Sequence, residues 1–88
     1  MEFEWDEAKN RANQAKHGIA FEVAKLAFFD PCRKTHPDKK HSQREPRYFC
    51  YGRVAGRILT VRYTLRAKKI RIFGASEWRV GRKKYEQS

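Results

Sequence analysis

Three runs of alternating side chains fill the second half of the chain, Arg47 to Gly52, Arg57 to Arg66 and Lys69 to Ala75, and little separates them. Gly52-Arg53-Val54-Ala55-Gly56 has the length of a hairpin connection, and Ala67-Lys68 is tighter still. Links this short cannot carry the chain back to begin a parallel strand, so the runs predict an antiparallel meander. Side chains alternate across a strand, which divides the two faces. Leu59, Val61, Tyr63 and Leu65, with Ile70 and Ile72, make one apolar face; Thr60, Arg62, Thr64 and Arg66, with Arg71 and Phe73, make the other. An apolar sheet face must be covered.

The first half supplies the cover. Phe3-Glu4-Trp5 alternates as a short strand, Asp6 stands where a helix N-cap belongs, and His17-Gly18 ends the helix with a residue suited to left-handed backbone. Ala8, Ala12 and Ala15 recur at helical spacing and predict a closely packed small-residue face. Phe21, Ala24 and Phe28, with Val23 and Ala27, predict a second helix that stops before Asp30-Pro31. Between Cys32 and Pro46 the polar sequence reads as a short edge strand near residues 32–36 and then an exposed, mobile loop. Residues 79–86 predict a closing helix, and Gly52, Gly56 and Gly81 read as turn glycines. The expected architecture is α+β: a short N-terminal strand and two helices packed on an antiparallel sheet of about four strands. A C-terminal helix closes the chain, all in one domain over residues 1–88.

Charge then selects the partner. Residues 1–38 carry six Lys/Arg against seven Asp/Glu, whereas residues 39–88 carry fifteen against three, so the net +11 is a second half at +12 and a first half at −1. So lopsided a field draws polyanions, and nucleic acid is the expected partner. A chain of 88 residues buries one small core and has little room for an enclosed small-molecule site, which points to an open surface groove. No apolar run reaches the ~20 residues of a membrane span. The N-terminus also lacks the basic and apolar regions of a secretion signal, so the expected setting is the cytoplasm, with no membrane partner. Cys32 and Cys50 form neither a CxxC pair nor a set with paired histidines, so no disulfide framework, metal site or cofactor is expected.

The N-terminal run Phe3-x-Trp5-Asp6-x-x-Lys9-x-x-x-Asn13-x-x-Lys16-His17-Gly18-Ile19-x-Phe21-Glu22, followed by Phe28-x-Asp30-Pro31, carries a family pattern. Arg47, Gly52, Gly56-Arg57-x-Leu59-x-Val61-x-Tyr63-x-x-Arg66, Ile70-Arg71-Ile72, Ala75 and Tyr85-Glu86 continue it. Over nearly its whole length the chain resembles the BrnT toxins of type II toxin–antitoxin systems. It departs after the last strand, where Phe73-Gly74-Ala75-Ser76 replaces the family's common Ile-Ser-Ala-Arg, so that family arginine is absent. The resemblance implies a RelE-like fold and a metal-independent endoribonuclease that arrests translation. It also implies a BrnA-like antitoxin that neutralises the toxin and carries the complex to operator DNA, and it leaves open whether RNA is cut on the ribosome.

Cleavage without a metal requires the ribose 2′-hydroxyl to attack its own phosphate, with charge neutralised on the phosphorane and protons moved at both oxygens. Arginines suit the charge, since their planar fork grips phosphate at two points. Arg66 and Arg79 are expected in the catalytic set, together with Glu77, Trp78 and Lys83, and Arg47, Arg62, Arg71 and Arg82, with Tyr85, in the RNA-binding set. For proton transfer Glu77 is expected as the base and Lys83 or Tyr85 as the acid or charge stabiliser, ahead of a mechanism that uses His17, His36 or His41. His17 also reads as a helix C-terminal cap, and Glu77 as a cap of the last helix. Trp78, between Glu77 and Arg79, offers a stacking platform for a base, worth roughly 1–3 kcal/mol. Burial in the core competes with that role. The rival reading of the whole chain is a non-catalytic basic module that binds nucleic acid.

Overall fold

A computed structural model of the chain describes residues 1–87. Among them lie five strands: β1 (Glu2–Glu4), β2 (Lys34–Pro37), β3 (Tyr48–Val54), β4 (Arg57–Arg66) and β5 (Lys69–Ser76). Three α-helices accompany them: α1 (Glu7–His17), α2 (Phe21–Ala24) and α3 (Arg79–Glu86). The strands form one sheet in the order β1-β5-β4-β3-β2. The α+β expectation holds, but the sheet is larger and mixed. The N-terminal strand, expected apart from a sheet of about four, joins it as the fifth strand and runs parallel to β5, with Phe3 opposite Ile70.

The meander from β2 to β5 is antiparallel, as the short links require. Each tight hairpin turns through two residues in left-handed backbone, Ala55 (φ 50°) and Gly56 (φ 80°), then Ala67 (φ 50°) and Lys68 (φ 69°). Two positive φ values in succession give the turn whose twist matches that of the paired strands. The first hairpin is therefore tighter than the five residues expected, because β3 runs on to Val54. Gly52 is a mid-strand residue and not a turn glycine. A Cβ there would collide with the carbonyl of Ala27, so glycine is what lets the helical layer seat on the sheet.

The core forms between that layer and the predicted apolar face: Phe21, Ala24, Ala27 and Phe28 pack on Cys50, Leu59, Val61, Tyr63 and Ile72. Phe28 meets Tyr63 edge-on at 4.9 Å between ring centroids. Burial pushes the Cys50 thiol up to about 12, which makes it an apolar filler and not a nucleophile. The second helix is shorter than its apolar stripe suggests, since the chain tightens into a 3-10 turn over Lys25–Phe29 after α2.

Two expectations about faces are corrected. Ala8, Ala12 and Ala15 are exposed, and α1 packs through Asn10 and Asn13 instead. Asn10 accepts from the N–H of Phe21 (2.8 Å) and donates to Glu7 (3.0 Å) and Glu22 (2.9 Å). Asn13 donates to the carbonyls of Ile19 and Ala75 (both 2.9 Å) and accepts from the N–H of Ala75 (3.1 Å). Every polar atom of these buried amides has a partner, which removes the cost of burying them. On β4, Leu65 is exposed although it falls on the apolar face, because the helical layer ends short of it, while Thr60 and Thr64 on the other face are buried.

Candidate active site

The burial of Thr60 and Thr64 shows that the basic face is partly roofed. At one end α3 lies across β3 and β4, and a Cβ on its Gly81 would strike Thr60 and Tyr51. Gly81 is thus a helix-packing residue and not a turn residue. Its helix is fastened at the far end by Tyr85, whose hydroxyl donates to Asp30 Oδ2 (2.7 Å), and by the Arg53 guanidinium over the Tyr85 ring (5.6 Å). At the other end the segment leading into β3 covers Thr64, whose hydroxyl donates to the Pro46 carbonyl at 2.6 Å.

Between the two roofs Arg62 emerges. The register of β5 slips beside it, so that Tyr63 opposes Ile72 and Arg62 opposes Gly74, with Phe73 as the extra residue. The Arg62 side chain lies over the bare Cα of Gly74, in space that any larger residue would claim. Phe73 is flanked by Arg47, 4.5 Å above its ring, and by Arg62 at 5.7 Å. Arg62 has no acidic partner among the described residues, whereas Arg66 pairs with Glu45 (3.3 Å) and Arg71 with Glu4 (3.2 Å). Arg47 is 3.9 Å from Glu45.

Arg62 opens into a cleft of about 280 Å³ whose walls include His17, Asp38, His41, Ser76 and Trp78. The loop that carries Asp38 and His41 is tied down. Asp38 N–H donates to the Arg47 carbonyl (2.7 Å), the Ser42 hydroxyl donates to the Asp38 carbonyl (2.6 Å), and Lys39–His41 form a 3-10 turn. Asp38 is buried, and its Oδ2 lies 2.9 Å from Nδ1 of His41. A carboxylate accepts, so the tautomer that suits this contact has its N–H at Nδ1 and turns Nε2 away from Asp38. Thr60, on the cleft floor, has a buried hydroxyl oxygen with no partner.

Trp78 is half-exposed and tilts against Phe49, with 5.7 Å between centroids. Its other side faces a second groove of about 290 Å³, bordered by Arg57, Glu77, Arg79 and Arg82. Here Arg57 Nε donates to Glu77 Oε1 at 2.7 Å, and Arg57 Nη2 reaches the same oxygen.

The residues singled out from the sequence therefore fall into separate places. Arg62 and Trp78 share the first cleft with His17 and His41, and Arg47 stacks on Phe73 outside it. Glu77, Arg79 and Arg82 belong to the second groove. Arg66 and Arg71 lie on the sheet outside both, each engaged by a carboxylate. Lys83 is exposed on α3 and lines neither cleft, Tyr85 is committed to Asp30, and His36 packs edge-on to Tyr51 at 5.6 Å. Asp38 and Ser76 are wall residues that sequence reasoning did not assign. The Asp38-x-x-His41 spacing, one turn of helix, was the available signal for the pair.

No helix among the described residues is long and apolar enough to cross a membrane. No curated protein matches the chain. A family model described as ribonuclease toxin, BrnT, of type II toxin-antitoxin system matches residues 5–80, a span that contains the whole first cleft. That span takes in the N-terminal helices and the arginine-bearing strands whose sequence carries the resemblance, and the chain belongs to the BrnT family of ribonuclease toxins of type II toxin–antitoxin systems.

Proposed function

We propose that the chain is a metal-independent endoribonuclease whose reaction centre is the cleft between His41 and Arg62. The observation that carries this reading is the buried Asp38 carboxylate on Nδ1 of His41, at the edge of a cleft that also holds an unpaired guanidinium. RNA lies with one base against Trp78 and its phosphate on Arg62. His41 Nε2 takes the proton of the 2′-hydroxyl as that oxygen attacks the phosphorus. Asp38 steadies the imidazolium so formed. Arg62 neutralises charge on the phosphorane, with Arg47 behind it across Phe73. His17, which also lines the cleft, protonates the departing 5′-oxygen in this reading. The products are a 2′,3′-cyclic phosphate and a free 5′-hydroxyl.

Ser76 stands on the cleft wall at the position where the resemblance would put an arginine, which leaves Arg62 as the guanidinium of this cleft. Glu77, across the indole and held by Arg57, is in this reading a groove residue and not the base. Arg66 and Arg71 act as outlying phosphate contacts. Residues 1–88 work as one RelE-like domain in the cytoplasm, arrest translation by cutting RNA, and are neutralised by a BrnA-like antitoxin that brings the complex to operator DNA.

The test is to incubate purified protein with single-stranded RNA in chelator and to analyse the new ends. Cyclic phosphate ends formed by the wild type and lost in His41→Gln support the proposal. Binding of RNA without any cleavage favours the non-catalytic module, and cleavage that requires Mg²⁺ overturns metal independence.

A further inference from the structure

Trp78 is a wall common to two clefts, and only one of them holds the proton-transfer groups. Around the second stand three guanidinium groups, those of Arg57, Arg79 and Arg82. Arg79 has no acidic partner among the described residues. Arg57 is held by Glu77, a pair with both side chains about half exposed, and Arg82 meets Glu86 at 3.4 Å along α3. Exposed pairs of this kind contribute little, because water screens them. A phosphate diester takes two parallel bonds from a guanidinium as a carboxylate does, and brings its charge from outside the fold. The entrance of α3 adds to the attraction, since its N-cap, Trp78, offers no side-chain acceptor to the first-turn N–H groups.

We infer that this groove is a second RNA subsite. It takes the phosphodiester next to the nucleotide stacked on Trp78, with Arg57, Arg79 and Arg82 as its cations and Glu77 as an internal carboxylate that the phosphate displaces from Arg57. The inference rests on the RNA-cleaving reading of the first cleft and extends it from one scissile step to a strand that crosses the indole. In the free protein Glu77 occupies Arg57. Once a strand longer than the first cleft arrives, the carboxylate turns out to solvent and the guanidinium turns to the phosphate.

The experiment measures fluorescence anisotropy with 2′-O-methyl oligonucleotides of about three and about seven residues, which bind but lack the attacking hydroxyl. The wild type is expected to bind the longer oligonucleotide about tenfold more tightly. Arg57→Ala and Arg82→Ala reduce that gain to about twofold or less, and Glu77→Gln enlarges it, an increase that damage to the fold does not produce. Lys25→Ala removes one positive charge from the 3-10 turn on the opposite side of the sheet and leaves the gain in place. Equal losses in Lys25→Ala and Arg57→Ala, or a smaller gain in Glu77→Gln, overturn the subsite. Because these oligonucleotides are never cut, the two readings separate. A length gain in a protein that cleaves no RNA overturns the ribonuclease reading and leaves the subsite standing, and cleavage without a length gain does the reverse.

Discussion

The Asp38 carboxylate lies 2.9 Å from Nδ1 of His41 and is almost sealed from water, while the histidine itself reaches solvent. A buried acceptor fixes the tautomer and steadies a positive ring. Asp38→Asn should therefore lower kcat on the order of 10²-fold with little change in KM, because the amide neither imposes the tautomer nor balances the imidazolium. Single-turnover cleavage of a labelled oligonucleotide measures this. A rise in KM alone, with kcat intact, would mean that the pair only holds the loop.

Trp78 is 41% exposed, and its neighbour Phe49 supports one edge of the indole. Trp78→Ala should weaken RNA binding by about tenfold or more, and Trp78→Phe should retain part of the affinity, since a smaller ring still stacks. The melting temperature should fall by less than about 4 °C in either variant. A large drop in stability with normal cleavage by the folded fraction would assign Trp78 to the core.

The bond from Tyr85 to Asp30 makes the docking of α3 dependent on pH at both extremes. Burial opposes ionisation of Asp30, but the N–H groups of Arg53 and Cys32 and the Tyr85 hydroxyl outweigh it and hold the carboxyl below its usual range. Its contribution is complete above the unfolded carboxylate value and is lost as pH falls through the lower folded one. Tyr85 is shifted upward, chiefly because its neutral hydroxyl donates to Asp30. Its contribution is complete below the ordinary phenol value and is lost as pH rises through the folded one. Thermal melts from about pH 2 to about pH 11 should show a plateau with two shoulders, and Tyr85→Phe should reduce the alkaline one. The buried phenols of Tyr51 and Tyr63, also shifted upward, contribute the remainder of that shoulder. An unchanged alkaline shoulder in that variant would refute the assignment.

A Cβ on Gly81 would meet the Thr60 hydroxyl before any other group of the sheet. Gly81→Ala should cost about 1–3 kcal/mol in denaturant unfolding, as overpacking does. Thr60→Ala removes a buried hydroxyl that has no partner and opens the same space. The double variant should be more stable than Gly81→Ala alone, a non-additivity that a denaturant midpoint resolves. Strict additivity would show that α3 shifts freely on the sheet.

The strands were legible because alternation and turn length act locally: β4 spans Arg57–Arg66, the run that the sequence delimits. The Asp6 cap, which accepts from Ala8 and Lys9, and the left-handed Gly18 were legible for the same reason. The packed face of α1 was not, since Asn10 and Asn13 are buried through bonds to distant backbone, and polar residues give no apolar period to read. The parallel place of β1 beside β5 was hidden too, because three residues carry no signal of their neighbour. The first cleft draws on a helix end, a loop, β3, β4 and the exit of β5, and no spacing in the chain reveals such a meeting. Charge singled out one sheet face, and the burial of Thr60 and Thr64, which alternation alone did not reveal, leaves Arg62 exposed between them.

Asn13 has a further consequence. β1 covers β5 only as far as Arg71, and beyond it the two bonds from Asn13 to the backbone of Ala75 are those a further strand would make. One amide side chain thus ends the sheet where main chain would otherwise be open to any extended segment. The edge of β5 beyond Arg71 is met at Ala75 by a side chain from α1 and is not left there as open main chain, the kind of edge along which extended segments of other molecules add.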